Sequence, residues 1–122
     1  MYKKVSKWLD GVLCSEIPEN VVAFCFNLYE DGDGDWSMEL VGTSTFDEND
    51  EDWPCDEADD FGTREAPFEW YENISWENIL EKAKEWVKTY IDQGAYANVL
   101  KSRKGVGVGF VDGDLEIVYV KE

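Results

Sequence analysis

The residues with chemical reach in this chain are carboxylates. Between Phe46 and Phe61 stand fourteen residues, and nine of them are acidic: Asp47, Glu48, Asp50, Glu51, Asp52, Asp56, Glu57, Asp59 and Asp60. Trp53, Pro54 and Cys55 sit in their midst. Dense carboxylates offer acid–base catalysis, binding of a hard cation, or recognition of a basic partner. Histidine is absent, which removes Ser-His-Asp and Cys-His nucleophilic chemistry, the commonest proton shuttle and most catalytic zinc sites. Carboxylate-pair catalysis of the glycosidase kind needs a cleft that raises one pKa. With twenty-eight acids in the chain, some pair always falls at a suitable spacing, so spacing alone carries no signal. The chain reads as a non-enzyme without catalytic residues.

Cation and phosphate motifs fail on inspection. Asp31, Asp33 and Asp35 imitate positions 1, 3 and 5 of an EF-hand loop, but Trp36 stands where that loop needs Gly and Gly42 where it needs Glu. The flanks also read as strands. An exposed acidic turn accounts for these residues better than calcium, and no metal or cofactor is expected. Gly105-x-Gly107-x-Gly109 lies inside a strand pattern and lacks the Lys-Ser/Thr of a P-loop. Three missing side chains on one strand face imply instead that a helix or another backbone packs closely there. Asn73-Ile74-Ser75 matches a glycosylation sequon, but Ser75 is better explained as a helix cap.

Recognition of a basic partner is the chemistry that remains. From Trp8 to Gly62 there is no Lys or Arg, yet there are seventeen acids; the rest of the chain has eleven of each sign. The formal charge of −17 therefore belongs to one contiguous half. Concentrated like charge opposes folding through self-repulsion, so its segregation calls for a purpose. A disordered acidic tail has few aromatics, whereas Phe46, Trp53 and Phe61 can pin this stretch to a core. An ordered loop with an anionic face is expected, with Asp47, Glu48, Asp50, Glu51, Asp52, Trp53, Asp56, Glu57, Asp59 and Asp60 as its partner-binding residues. Trp53 is open to two readings, core anchor or interface residue. Phe61, Phe68, Trp70 and Tyr71 nearby read mostly as anchors, with one or two as exposed contacts.

The elements that must position this loop follow from periodicity. Val5, Trp8, Leu9, Val12 and Leu13 make one face of an amphipathic helix that ends by Ile17-Pro18. Residues 21–29 alternate as a strand with apolar content on both faces, as expected of a strand covered on both sides. Glycines in the Glu30–Asp35 run form a turn, and residues 36–46 return with Trp36, Met38 and Leu40 inward and Ser37 and Glu39 outward. Residues 62–71 read as irregular or partly extended. Ser75 caps the strongest helix, striped by Trp76, Ile79, Leu80, Ala83, Val87, Tyr90 and Ile91 and stopped or interrupted by Gly94, with a short second helix over 95–100. Two final strands flank Asp112-Gly113. The order α-β-β-loop-α-(α)-β-β predicts a single α+β domain over residues 1–122. Its sheet is expected to be antiparallel, of about four strands in two hairpins packed with two main helices.

Composition agrees with a soluble domain. At 122 residues and 43% hydrophobic content the chain can bury roughly two-thirds of its unfolded surface. No run approaches the roughly 18 apolar residues of a membrane span, and the N-terminus lacks a signal peptide's apolar stretch. Three cysteines without CxxC spacing point to a reduced, cytoplasmic setting, with Cys25 in the core.

The block Phe46-Asp47…Asp52-Trp53-x-Cys55-Asp56-Glu57 and the closing Val106–Glu116 segment resemble small bacterial immunity proteins of polymorphic or contact-dependent toxin systems. The resemblance implies a stoichiometric activity: the protein binds and blocks its own cell's toxin, often a basic nuclease, with no direct contact to nucleic acid or membrane. The runner-up is a nucleic-acid mimic or adaptor that binds a host basic protein. A calcium-binding module stands third.

Overall fold

The computed structural model describes the chain except Glu51, Asp112, Asp114 and Glu122, and leaves the side chains of Cys55, Asp59 and Asp60 undescribed. Helix α1 (Tyr2–Leu13) comes first, followed by β1 (Ala23–Gly32) and β2 (Asp35–Thr43). A single 3-10 turn (Trp53–Cys55) precedes β3 (Glu57–Gly62) and β4 (Phe68–Tyr71). Helices α2 (Trp76–Gln93) and α3 (Ala97–Lys101) lead to β5 (Gly105–Phe110) and β6 (Leu115–Val120).

The class is α+β, but the sheet is not the four-stranded antiparallel one that the two hairpins suggest. Among the described residues it is a mixed sheet of six strands in the order β3-β2-β1-β5-β6, with β4 also on β2. β1 and β5 run parallel, Phe24 opposite Val106 and Phe26 opposite Val108. The physical reason is the connection. A parallel pair needs a crossover, and α2 with α3 carries the chain from the β4 edge across one face to re-enter beside β1. The two extra strands lie where acidic or short sequence hid them. β3 occupies the end of the expected acidic loop and runs on to Gly62, and four-residue β4 lies in the 62–71 segment expected to be irregular or partly extended; each pairs antiparallel with one half of β2.

Period-two alternation divides β1 between two environments. Phe24, Phe26 and Leu28 face the helices and join Val5, Leu9, Leu13, Ile79, Ala83, Val87 and Tyr90 in the main core. Each buried Val, Leu, Ile or Phe among these contributes roughly 1.5–3 kcal/mol relative to exposure. Trp8, Leu80 and Phe110 close the margins of this core, half-buried. The Tyr90 hydroxyl donates to Asp10 Oδ1 at 2.7 Å and so ties α2 to α1. Ser75 does stand at the start of α2, although among the described residues its side chain makes no capping bond. The Glu30–Asp35 run closes the β1–β2 hairpin through a turn at Asp33-Gly34, Gly32 opposite Asp35. No helix among the described residues is long and apolar enough to cross a membrane.

Candidate partner-binding face

The second face of the sheet holds the acidic stretch in place. Ala23 and Cys25 of β1 and Val41 of β2 form a small second core with Trp53, against which Phe46 and Leu115 pack. Opposite them, the register of β5 turns Gly105, Gly107 and Gly109 to this face. The glycines make room for rings. A Cβ on Gly105 would stand 2.4 Å from Phe46 Cε1, and one on Gly107 would stand 3.0 Å from Trp53 Cζ2. Close approach is thus as the alternate glycines imply, but the approaching group is a pair of aromatic side chains rather than a helix or backbone. Phe46 and Trp53 meet edge to face at 4.9 Å, a favoured aromatic geometry.

Between these two plugs the loop is closed at its neck and ordered within. The Ser44 N–H donates to the Asp56 carbonyl at 2.7 Å, and Thr45 Oγ1 to Asp56 Oδ2 at 2.9 Å. Asp47 Oδ1 accepts from the Asn49 N–H and Asp50 Oδ1 from the Asp52 N–H, each at 2.9 Å. Asp side chains that bond the backbone two residues on form Asx turns. A loop whose ends meet and whose own side chains pack it is a compact surface unit.

The expected partner-binding residues divide accordingly. Asp47, Glu48, Asp50, Asp52, Asp56 and Glu57 are brought together on the exposed surface. Trp53 is only 2% exposed; it is the anchor of the loop, and its indole Nε1 has no hydrogen-bond partner among the described residues. Glu51 and the side chains of Asp59 and Asp60 lie outside what the structure describes. Of the aromatics that flank the stretch, Phe68 and Trp70 are buried, whereas Tyr71 is 66% exposed.

Sequence reasoning missed a charged cluster beside the loop. Glu39 does point away from the helices, yet it is 2% exposed. Its carboxylate accepts from Asn27 Nδ2 at 3.0 Å, Tyr29 hydroxyl at 2.7 Å and Arg64 Nε at 3.1 Å. Arg64 Nη2 also donates to Glu57 Oε2 at 2.9 Å. Arg64 is the first base after Lys7, and it folds back onto two acids of the uncompensated half. Burial alone would raise the Glu39 carboxyl, but the hydrogen bonds from Arg64, Asn27 and Tyr29 outweigh it and hold the group below its ordinary range. Burial, reinforced by the bond to Glu39, pushes the Tyr29 hydroxyl up to about 12. The only sequence signal was parity: Asn27, Tyr29 and Glu39 share a face, while Arg64 lies twenty-five residues from Glu39.

A hollow of about 290 Å³ opens between this cluster, Asp52 and the β5–β6 turn at Val111 and Gly113. Glu39 in the cluster is held below its ordinary range by the donors around it, whereas a general acid needs a raised pKa. Among the described residues no three His, Cys, Asp or Glu side chains gather to hold a metal ion. The arrangement can present fixed negative charge; the acids that do so lie outside the hydrogen-bonded core of the cluster. No family model, curated protein or solved structure significantly matches the chain.

Proposed function

We propose that the protein is a non-catalytic, stoichiometric binder of a basic protein, and specifically an immunity protein that neutralises a cognate toxin domain in the cytoplasm. The observation that supports this reading is the loop between Phe46 and Trp53: Asp47, Glu48, Asp50 and Asp52 are exposed while the two aromatics lock the loop to the sheet. A nuclease presents Lys and Arg to phosphate, so carboxylates held at fixed positions compete with its substrate and cover its active or substrate-binding surface. Opposed charge also speeds encounter, towards about 10⁸–10⁹ M⁻¹s⁻¹ at low salt. A pre-ordered loop loses little conformational freedom on binding.

The test is kinetic. The basic protein captured from the native cell is assayed for association with the parent chain and with an Asp47→Asn/Asp50→Asn/Asp52→Asn variant. Asparagine keeps an oxygen for each Asx turn, so the loop stays folded while three charges go. The variant should associate about tenfold more slowly at low salt and with a flatter salt dependence. Equal rates at low and physiological salt would reduce the loop to a solvated surface.

A further inference from the structure

One end of the sheet gathers aromatics that face outward. The β1–β2 turn, the end of β4, the start of α2 and the end of β5 all meet there, as the pairings of Asp35 with Tyr71 and Leu28 with Phe110 require. Tyr71 is 66% exposed and Trp76 is 55% exposed. Neither hangs loose. The Tyr71 ring lies over Gly34, whose φ of +82° suits glycine, and a Cβ at that position would stand 2.6 Å from Tyr71 Cε2. Trp76 stands edge to face on Phe110 at 6.0 Å, and Phe110 in turn stands edge to face on buried Trp36 at 5.9 Å. The Trp36 indole N–H donates to the Glu72 carbonyl at 2.8 Å, which fixes the segment between Tyr71 and Trp76.

The charge described around these rings is mostly acidic. Asp31, Asp33, Asp35, Glu69 and Glu77 are exposed at this end. Lys82 is paired with Glu72. Rigid exposed Trp and Tyr rings with acids beside them match one side-chain chemistry above others. A guanidinium stacks on an aromatic face and forks onto carboxylates, whereas an ammonium is more strongly hydrated and stacks less well.

We propose that this end is where arginine side chains of the basic partner anchor, stacking on Tyr71 and Trp76 while Asp31, Asp33 and Asp35 take up their charge. The proposal rests on the binding function above and locates its energetic centre away from the 47–56 loop. Trp, Tyr and Arg are the residues that dominate interface energetics, and rings held in place before binding lose little freedom on contact.

The experiment titrates isotope-labelled full-length protein with tetra-arginine and, separately, tetra-lysine, and follows amide and indole resonances at physiological salt. Tetra-arginine should shift the Trp76 indole N–H and the amides of Tyr71, Asp33 and Asp35, and should bind several-fold more tightly than tetra-lysine. A Tyr71→Ala/Trp76→Ala variant should lose about tenfold in affinity for tetra-arginine with an unchanged melting temperature. Shifts confined to amides of the 47–52 loop, or equal affinity of the double variant, would overturn the anchoring site while leaving the acidic binder intact. No shift with either peptide, even at low salt, would remove the binding function as well.

Discussion

Trp53 and Trp76 sit in acidic parts of the same molecule and are used in opposite ways. Trp53 is 2% exposed and Trp76 is 55% exposed. The ring of Trp53 has a bay to enter, because Gly107 lacks the Cβ that would meet it. Trp76 has no such bay; Phe110 supports it from one side and leaves the rest to solvent. The orientation of an aromatic is thus decided by what the opposing strand omits, not by the charges that flank the aromatic in sequence. One region shows carboxylates and hides its ring. The other shows both.

Removing the two rings should separate the regions most sharply. Trp53→Ala empties the second core and should cost about 3–5 kcal/mol, enough to threaten a domain of ordinary stability. It should also release the loop, seen as faster amide exchange at Asp50 and Asp52 than global unfolding explains. A melting temperature within a degree or two of the parent would mean that Phe46 alone holds the loop.

The Glu39 cluster offers an intermediate effect. Glu39→Gln keeps the shape but loses the charge that Arg64 bridges, and should cost about 1–2 kcal/mol at neutral pH, discounted because Arg64 is exposed. The sign of its pH dependence follows from the depressed carboxyl. Parent Glu39 contributes fully above its unfolded value, about 4.3, and loses that contribution as pH falls through its lower folded value. The stability gap between parent and variant should therefore shrink in acid. A gap that stays constant from neutral pH down to the acid transition would show that packing, not charge, holds Glu39. Smallest of all, Trp76→Ala should shift stability by no more than about 0.5 kcal/mol. A larger loss measured in denaturant would place that ring in the fold rather than at its surface.

How far the sequence could be read divides along the same line. The stripe of α1, that of α2 apart from Trp76, which is exposed, and the alternation of β1, β2, β5 and β6 were legible, since each depends on residues a few positions apart. Strand order was not, because the pairing of Phe24 with Val106 is set by a crossover that local periodicity does not encode. β3 was hidden by composition: Glu57-Ala-Asp-Asp-Phe-Gly62 has few strand-forming residues and gains its conformation from β2. The acidic loop was legible as ordered, by its evenly spaced aromatics. What stayed out of reach was which aromatic turns inward. Val41, Gly107 and Leu115, which surround Trp53, come from three separate strands, and Arg64 finds Glu39 only once β2 and β3 are side by side.

The glycine-lined strand has a consequence for how such a surface can change. Phe46 and Trp53 act as two plugs in two sockets, and the socket wall belongs to β5, far from the loop in sequence. Between the plugs, the described residues are tied by two Asx turns and by the Asp50 N–H to the Asp47 carbonyl, and the neck at Asp56 closes the loop outside them. Their charge and identity can therefore be rewritten while the plugs stay seated, much as a cartridge is exchanged in a fixed mount. A lineage that must keep pace with a changing partner would have a replaceable segment here, insulated from the core that holds the rest of the chain together.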